Sequence, residues 1–381
     1  MGRYPIHLEV TNMSIVYIGM DVHKDSYSLC AYMPEFDAFL GETKCASEPK
    51  NVEKFIDNLR EHLEDDVEFV TGYEAGVLGY SLHNTLEKMG ITCKILAPST
   101  MSKSSKDLVV KNDRRDAKMI AKNLANKTYK AVYVPDDEDV EMKEFVRLRK
   151  NACKARGVIK KQINAFVLRH GFNYQRSKWT VAHIKWLKQL ELSAILRETL
   201  NEMLLQYYDL NDRIERFDAR IEAFSQQERY VKPVQQMRCL KGVDTITAMT
   251  IQVETSDFSR FPNAKAYAAY LGLIPSDHSS GAHVRLGAIT KQGNGTIRTT
   301  LIEAANALVR SNIGYKSKKL KARQKGMDAN VIAYVDKAAD RLGRKYRRMI
   351  RMGKPHNVAV TAIARELACY IWGIETGNIA V

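Results

Sequence analysis

The chain has 381 residues, of which 45% are hydrophobic, and a formal net charge of +15. This length allows two or three domains with their own cores, and since no run of about 18 apolar residues occurs, we expect no membrane-spanning helix. The six cysteines form no C-x-x-C pair, which argues against a structural zinc site and a disulfide framework. Because residues 1–10 also lack a secretory signal pattern, we expect a cytoplasmic protein.

The first third of the chain is predicted to fold as an α/β unit. A short leader, residues 1–14, precedes the first element. Apolar periodicity predicts strands over about 15–20, 26–33, 38–45, 68–73 and 92–96, and helices near 52–63, 78–89 and 113–126, with a polar loop over 102–111. Three strands followed by alternating helices and strands predict a mixed sheet with helices on both faces.

Four carboxylates occupy positions where a metal site would need them. Asp21 and Glu74 each follow directly on a predicted strand, and open α/β sheets bind ligands at that edge. Asp113 and Asp116 are three residues apart at a helix start with Asn112 as N-cap, so both leave one face. Each also has an ordinary interpretation, as a turn residue or as an acidic first turn that complements the helix dipole. Together they predict a site for Mg²⁺ or Mn²⁺, which prefer oxygen ligands and which serve phosphoryl transfer as pairs about 4 Å apart.

The middle of the chain is predicted to be helical and to carry a coiled-coil pattern. Nine apolar residues recur at alternating spacings of four and three: Leu196, Leu200, Met203, Tyr207, Leu210, Ile214, Phe217, Ile221 and Phe224. We expect this helix to pair with another subunit, with pairing inside the chain as the alternative. We expect Pro233 to end it.

The last third combines a polar loop, an Ala-rich helix and a basic segment. A loop with two serines is by itself ordinary, and Lys291 and Arg298 near the Ala-rich helix are candidates for phosphate contacts. Residues 316–354 contain 14 basic and three acidic residues. Such a concentration of charge indicates a polyanionic partner, and nucleic acid is the favoured one. The apolar helix over 358–372 is explained by core packing.

Four short motifs together resemble the DEDD transposases of bacterial insertion sequences, the IS110 family, whose members are also called bridge-RNA-guided recombinases. The motifs are GMDVHK at 19–24, YEA at 73–75, NDRRDA at 112–117, and LGLIP through SSG at 271–281. The resemblance covers about residues 15–130 and 234–373. It implies an α/β plus α fold: an RNase H- or RuvC-like mixed sheet in 1–130, a helical, coiled-coil oligomerisation region in 131–232, and a mainly helical transposase domain in 233–381.

The resemblance also implies a mechanism. The four carboxylates would bind Mg²⁺ or Mn²⁺, and Ser279 would be the nucleophile, with Ser280 as the alternative. The implied reaction is attack of the serine hydroxyl on a DNA phosphodiester, which gives a covalent phosphoserine and a free 3′-hydroxyl. It further implies a homo-oligomer, a dimer that assembles into a tetramer, with carboxylates and serine from different subunits. A bridge RNA would select donor and target DNA by base pairing.

Basic side chains are expected to hold phosphate backbones rather than to read bases. The candidates are Arg114, Arg115, Arg285, Lys291, Arg298, Lys318, Lys319, Arg344, Lys345, Arg347 and Arg348. The location implied is the bacterial nucleoid. Alternatives are a RuvC-like junction endonuclease that uses metal and water alone, and a non-enzymatic nucleic-acid-binding protein. An actin-like sugar kinase is disfavoured because the turn after Asp21 lacks the Gly- and Thr-rich phosphate loop.

Overall fold

The computed structural model describes residues 14–63, 67–102, 112–279, 283 and 285–379. They divide into two compact units, Met1–Val134 and Pro135–Val381. The predicted leader, up to residue 13, and most of the predicted polar loop, 103–111, lie outside the described residues. Within the described ranges, no helix is both long and apolar enough to cross a membrane.

The first unit contains a five-stranded mixed sheet, as predicted. Its strands are β1 (Ser14–Val22), β2 (Ser26–Met33), β3 (Ala38–Ala46), β4 (Val67–Glu74) and β5 (Thr92–Leu96), in the order β3-β2-β1-β4-β5. The pairs β1–β2 and β2–β3 are antiparallel, whereas β1–β4 and β4–β5 are parallel. The carboxyl ends of β1 and β4 therefore lie side by side at one edge.

Helices cover both faces of this sheet. On one face, α1 (Pro49–Arg60) and α2 (Ser81–Lys88) pack against the even-numbered residues of β1, such as Ile18. On the other face lies α3 (Asp113–Ala125), whose first turn is capped by the Asn112 side chain, as predicted. Because side chains alternate along a strand, Asp21 belongs to the face that α3 covers.

Two glycines paired in register allow α3 to lie directly on the sheet. Gly19 of β1 is the register partner of Gly72 of β4. A Cβ atom at Gly19 would lie 2.1 Å from the carbonyl oxygen of Ala117 and 2.3 Å from the backbone nitrogen of Ala121. Only glycine fits there, and this close approach fixes the start of α3 relative to the end of β1.

Gly19→Ala is expected to destabilise the first unit by about 1–3 kcal/mol, the usual cost of overpacking a core. The measurement is hydrogen exchange in the peptides that contain β1 and β4. Gly41→Ala is the matched control in the same sheet, because a Cβ there would meet nothing closer than the Leu59 side chain at 3.5 Å. Equal protection of the two variants would contradict the packing argument.

The second unit is mainly helical. Its elements are α4 (Asp137–Arg169), α5 (Val181–Gln189), α6 (Ala194–Phe224), α7 (Glu228–Arg238), α8 (Thr245–Thr255), α9 (Ala264–Tyr270), β6 (Pro275–Asp277), β7 (Leu286–Ile289), α10 (Gly295–Val309), α11 (Lys318–Gln324), α12 (Ala329–Arg351) and α13 (His356–Glu375). Helices α7 to α10, α12 and α13 enclose one large apolar core. The mixed sheet followed by a helical C-terminal region confirms the coarse fold prediction.

The heptad residues of α6 are covered within the chain. Leu200 and Leu210 pack against residues of α4 such as Ile163. Arg149 of α4 also donates to Asp218 of α6 at 2.6 Å. The predicted coiled-coil face thus has an intrachain partner, the alternative considered from the sequence, and an oligomer that uses this helix stays a prediction.

The prediction that Pro233 ends this helix was wrong. Helix α6 ends at Phe224, and Pro233 lies inside the next helix, α7. A short turn separates the two helices. The sequence prediction failed because the turn, residues 225–227, contains neither Gly nor Pro, the usual signals of a helix end.

Candidate active site

The first group of functional side chains lies where β1 ends and α3 begins. Asp21 Oδ2 is 3.2 Å from His23 Nε2, and the same nitrogen is 3.7 Å from Asp113 Oδ1. One ligand atom from each of these residues lies within 4.8 Å of the other two. We call this group the Asp21 cluster (Asp21, His23 and Asp113). The structure therefore brings together two of the four carboxylates singled out in the sequence.

The other two carboxylates lie next to the Asp21 cluster. Asp116 is close enough that its charge contributes to a raised pKa at Asp21. Glu74 directly follows the last register pair of β1 and β4, Met20 with Tyr73, and so occupies the position beside Asp21 on the neighbouring strand. Among the described residues neither belongs to the three-residue group, and their role as metal ligands stays a prediction.

The two central carboxylates have opposite electrostatic environments. Burial raises the pKa of Asp21, and the charges of Asp116 and Asp113 add to this effect while His23 opposes it. Lys44 of β3 donates to Asp113 Oδ2 at 2.8 Å and holds the pKa of Asp113 below its usual range. A divalent cation would relieve the repulsion at Asp21 and would compete with Lys44 for Asp113.

The donor atoms of the Asp21 cluster fit a divalent cation. Carboxylate oxygens from Asp21 and Asp113 suit Mg²⁺ and Mn²⁺ equally, and the imidazole nitrogen of His23 suits Mn²⁺ better than Mg²⁺. The geometry supports a divalent metal centre at this edge of the sheet.

The second group lies on an antiparallel hairpin in the other unit. Strands β6 and β7 form this Ser279 hairpin, and Ser279 follows β6 by two residues and is exposed. The backbone N–H and the hydroxyl of Ser279 both donate to Asp277 Oδ1, the former at 2.9 Å. The Arg285 N–H donates to the Ser279 hydroxyl oxygen at 2.9 Å. These bonds orient the hydroxyl, and the two that Ser279 donates hold the pKa of Asp277 below its usual range. The alternative nucleophile, Ser280, lies outside the described residues.

Two glycines fix the base of the Ser279 hairpin. Gly272 and Gly293 have φ values of +63° and +87°. A Cβ at Gly293 would lie 1.8 Å from the Tyr270 carbonyl oxygen, and the Lys291 N–H donates to the Gly272 carbonyl at 3.1 Å. The LGLIP motif therefore anchors the hairpin between α9 and α10.

Five of the basic candidates have partners inside their own unit. Arg114 forms an ion pair with Glu42 of β3, and its contact with phosphate stays a prediction. Arg298 donates to the Leu271 carbonyl at 2.8 Å, and Lys345 pairs with Glu366 at 2.8 Å. Arg344 pairs with Asp340 at 3.8 Å, and Arg347 donates to Asn312 at 3.5 Å. The remaining candidates have exposed side chains: Arg115, Arg285, Lys291, Lys318, Lys319 and Arg348. The basic segment is thus only partly available to a nucleic acid.

Helix α12 concentrates exposed basic side chains on one face. Five exposed basic residues recur along this helix at spacings of four, three, four and three. We call them the basic stripe: Lys337, Arg341, Arg344, Arg348 and Arg351. The opposite face buries Val331, Val335, Ala338 and Leu342. The stripe spans about 21 Å at 1.5 Å per residue, long enough to follow several phosphates. Arg341 is already paired with Glu366 at 2.6 Å.

Sequence reasoning missed three residues of these groups: His23, Lys44 and Asp277. His23 lies two residues after Asp21, and Asp277 lies two residues before Ser279. This nearness to a predicted site residue could have identified both from the sequence. Lys44 had no local signal, because it reaches the site through the sheet register, in which Asp21 pairs with Ser28 and Ser28 pairs with Lys44.

Comparison with known families gives two matches, one for each part of the chain. Residues 18–172 match a DEDD-type IS110 transposase family, and residues 234–321 match the family described as "Transposase IS116/IS110/IS902 family". The first range contains the Asp21 cluster, and the second contains the Ser279 hairpin.

Individual relatives agree with these matches. A putative transposase, y4qE, of Sinorhizobium fredii is 34% identical over 304 residues, which cover 79% of this chain and 74% of that protein. The transposase for insertion sequence element IS1533 of Leptospira borgpetersenii is 29% identical over 88% of this chain and 96% of its own length. The transposase for IS1111A of Coxiella burnetii is 25% identical over 68% of this chain and 72% of that protein.

Proposed function

The chain belongs to the IS110 family of insertion-sequence transposases, and from this membership we propose that it cleaves and rejoins DNA through a covalent bond to Ser279. Membership of the family supports DNA transposition as the activity and DNA as the partner. The observation that carries the finer proposal is the Ser279 hydroxyl itself, which is exposed at a hairpin end and held by both Asp277 and the Arg285 N–H. The Ser279 hairpin lies within the part of the chain that matches the family.

The proposed step exchanges one phosphodiester for another. Ser279 Oγ attacks the DNA phosphorus, an Oγ–P bond forms, and the P–O3′ bond breaks. The hydroxyl proton passes to solvent, and the departing 3′-oxygen takes up a proton to become a 3′-hydroxyl. In the reverse sense, a 3′-hydroxyl from another strand attacks the phosphoserine and frees Ser279, so strands are rejoined without an external energy source. Asp277 orients the hydroxyl; its lowered pKa makes it a weak base.

The metal centre belongs to the same proposal. DEDD transposases generally use divalent metal, and Asp21, Asp113 and His23 are the residues that would hold it here. Asp116 and Glu74 would complete the ligand set. Bound Mg²⁺ or Mn²⁺ would supply charge stabilisation for the phosphoryl transfer. The chain's own contribution is the close packing of α3 on Gly19, which holds the carboxylates in place without bound metal.

The proposed organisation has three parts: an RNase H- or RuvC-like domain over 1–130, a helical region over 131–232 and a transposase domain over 233–381. The strand order and mixed pairing of the sheet support the RuvC-like assignment. We take the active site to be composite, with carboxylates and serine supplied by different copies in a dimer or tetramer. The carboxylates and the serine lie in different compact units, which is compatible with such an arrangement.

A bridge RNA would choose the DNA sites, and the basic stripe on α12 would hold its phosphates. Replacing two stripe residues in the variant Arg344→Gln/Arg348→Gln is expected to lower the slope of log K against log salt for RNA by about two, one for each lost phosphate contact. The matched control is Lys54→Gln/Lys88→Gln, which removes two exposed charges from the first unit. A slope that stays unchanged, or that falls equally in the control, rules out the stripe as the RNA surface.

The proposed function is tested by incubating the protein, its flanking RNA and end-labelled DNA with Mg²⁺ and resolving the products on a denaturing gel. We expect a protein-linked DNA band, and peptide mapping should place the linkage on Ser279. A junction endonuclease would cut the DNA without forming that band, and a non-enzymatic binding protein would leave the DNA intact. Either of these results would contradict the proposal.

A further inference from the structure

A groove in the second unit lies between the middle of α4 and the first turn of α10. Two adjoining cavities of about 590 and 270 Å³ form it, and both are lined by Lys150, Lys154 and Thr299. The larger cavity is also lined by Gly293 and Thr296, at the start of α10. We call this feature the α4–α10 groove. None of the sequence motifs pointed to its α4 side.

The α4 side of the groove is positively charged. Lys150 and Lys154 lie one helical turn apart, and within the described ranges neither forms an ion pair. Lys150 is half-buried; burial and the neighbouring charge of Lys154 lower its pKa. Two like charges at this spacing repel each other. An anion between them would remove that repulsion, so the local chemistry favours an anionic ligand.

The carboxylates near the groove do not cancel this charge in the larger cavity. Glu254 is buried and fully engaged, because Arg147 donates to it at 2.7 and 2.9 Å and Asn294 donates at 2.8 Å. Glu303 lines only the smaller cavity. On the α10 side, the positive end of the dipole of a 15-residue helix faces the same space. The larger cavity is therefore bordered by positive charge on both sides.

The larger cavity of the groove borders the base of the Ser279 hairpin. Residues 290–294 connect β7 to α10, and Gly293 in this connection is packed on Tyr270, which also lines the larger cavity. The distance along the hairpin from Pro275 to Ser279 is about 13 Å at the usual rise of a strand. A DNA strand whose phosphodiester reaches Ser279 would need its neighbouring phosphates held along this path.

We infer that the α4–α10 groove binds the phosphodiester backbone of the DNA strand that Ser279 attacks, with Lys150 and Lys154 each contacting a phosphate. This inference rests on the proposed function, because it takes the strand at Ser279 to be DNA. The contacts are to phosphate, so they hold the strand in position and do not read its sequence.

The test uses the full chain in the variant Lys150→Gln/Lys154→Gln. Affinity for a short fluorescein-labelled DNA strand is measured by anisotropy at several salt concentrations between about 50 and 200 mM, and the same is done with RNA of the same sequence. We expect the slope of log K against log salt to fall by about two for DNA, because two phosphate contacts are lost. The matched control is Lys161→Gln/Lys185→Gln, which removes two exposed lysines of the same unit away from the groove and should leave the DNA slope unchanged.

The outcomes separate this inference from the proposed function. An unchanged DNA slope, a fall equal to that of the control pair, or a loss confined to RNA would each overturn the groove assignment. Ser279→Ala, measured in parallel, should keep the wild-type DNA slope, because serine is uncharged and both lysines proposed to hold phosphates remain. If the DNA slope falls as expected while no covalent adduct is found in the wild type, the groove stands and the nucleophile assignment fails.

Discussion

Ser279→Ala is expected to abolish the covalent protein–DNA adduct and to lower recombination by about 10⁶-fold, the scale reached when a serine nucleophile is removed. The physical reason is that alanine lacks the nucleophilic oxygen. In the wild type, hydrogen bonds with the Asp277 carboxylate and the Arg285 N–H hold that oxygen in position. The measurement is the labelled adduct on a denaturing gel, together with recombinant product. DNA and RNA affinities should remain at their wild-type values.

A matched control for this variant exists in the same unit. Ser259 makes the same local turn, since its N–H and hydroxyl both donate to Asp257 Oδ1, at 2.8 and 2.6 Å. The turn therefore occurs at a second serine of this unit and does not by itself indicate a nucleophile. Ser259→Ala should leave the adduct unchanged. An adduct that persists in Ser279→Ala would contradict the assignment, and its transfer to Ser280 could be read directly from peptide mapping.

The sequence predicted the first unit well because its signals are local. Strand alternation and short turns set the bounds of β1 to β5, and the observed strand ends differ from those predicted by at most two residues. The partner of α6 was harder to predict. Its heptad pattern is strong, but the partner residues on α4, such as Ile159 and Ile163, are set among basic residues that weaken the pattern. A heptad pattern predicts that a helix pairs with another helix, but it does not identify the partner.

Some contacts of the candidate site could likewise be predicted from the sequence, and others could not. The meeting of Asp21 with Asp113 could be expected because a strand end and a helix start are local features. Lys44 could not be expected, since it reaches Asp113 only when β3 pairs in one particular register with β2, and a bulge between Ala31 and Tyr32 shifts that register. The ion pair between Arg114 and Glu42 depends on the same pairing. Long-range register is a property of the folded sheet, and no short motif encodes it.

Asp21→Asn is expected to weaken Mn²⁺ binding and to lower adduct formation by about 10²–10³-fold, the scale for loss of one preorganised electrostatic group. The amide keeps the shape of the side chain and removes its charge, so the repulsion that favours a cation disappears. Mn²⁺ binding is measured by electron paramagnetic resonance, and adduct formation by the gel. RNA affinity should not change. Asp57→Asn, which alters an exposed carboxylate on α1 of the same unit, is the control.

Lys44→Gln is expected to act in the opposite direction on the same metal. Its ammonium group holds Asp113 Oδ2 at 2.8 Å, so an incoming cation must displace it. Removing that charge should tighten Mn²⁺ binding several-fold, whereas Lys54→Gln, an exposed lysine on α1, should have no effect. A general change in net charge cannot produce this contrast, because each control removes the same charge elsewhere in the unit. Metal binding that is indifferent to both Asp21 and Lys44 would place the metal centre outside the Asp21 cluster.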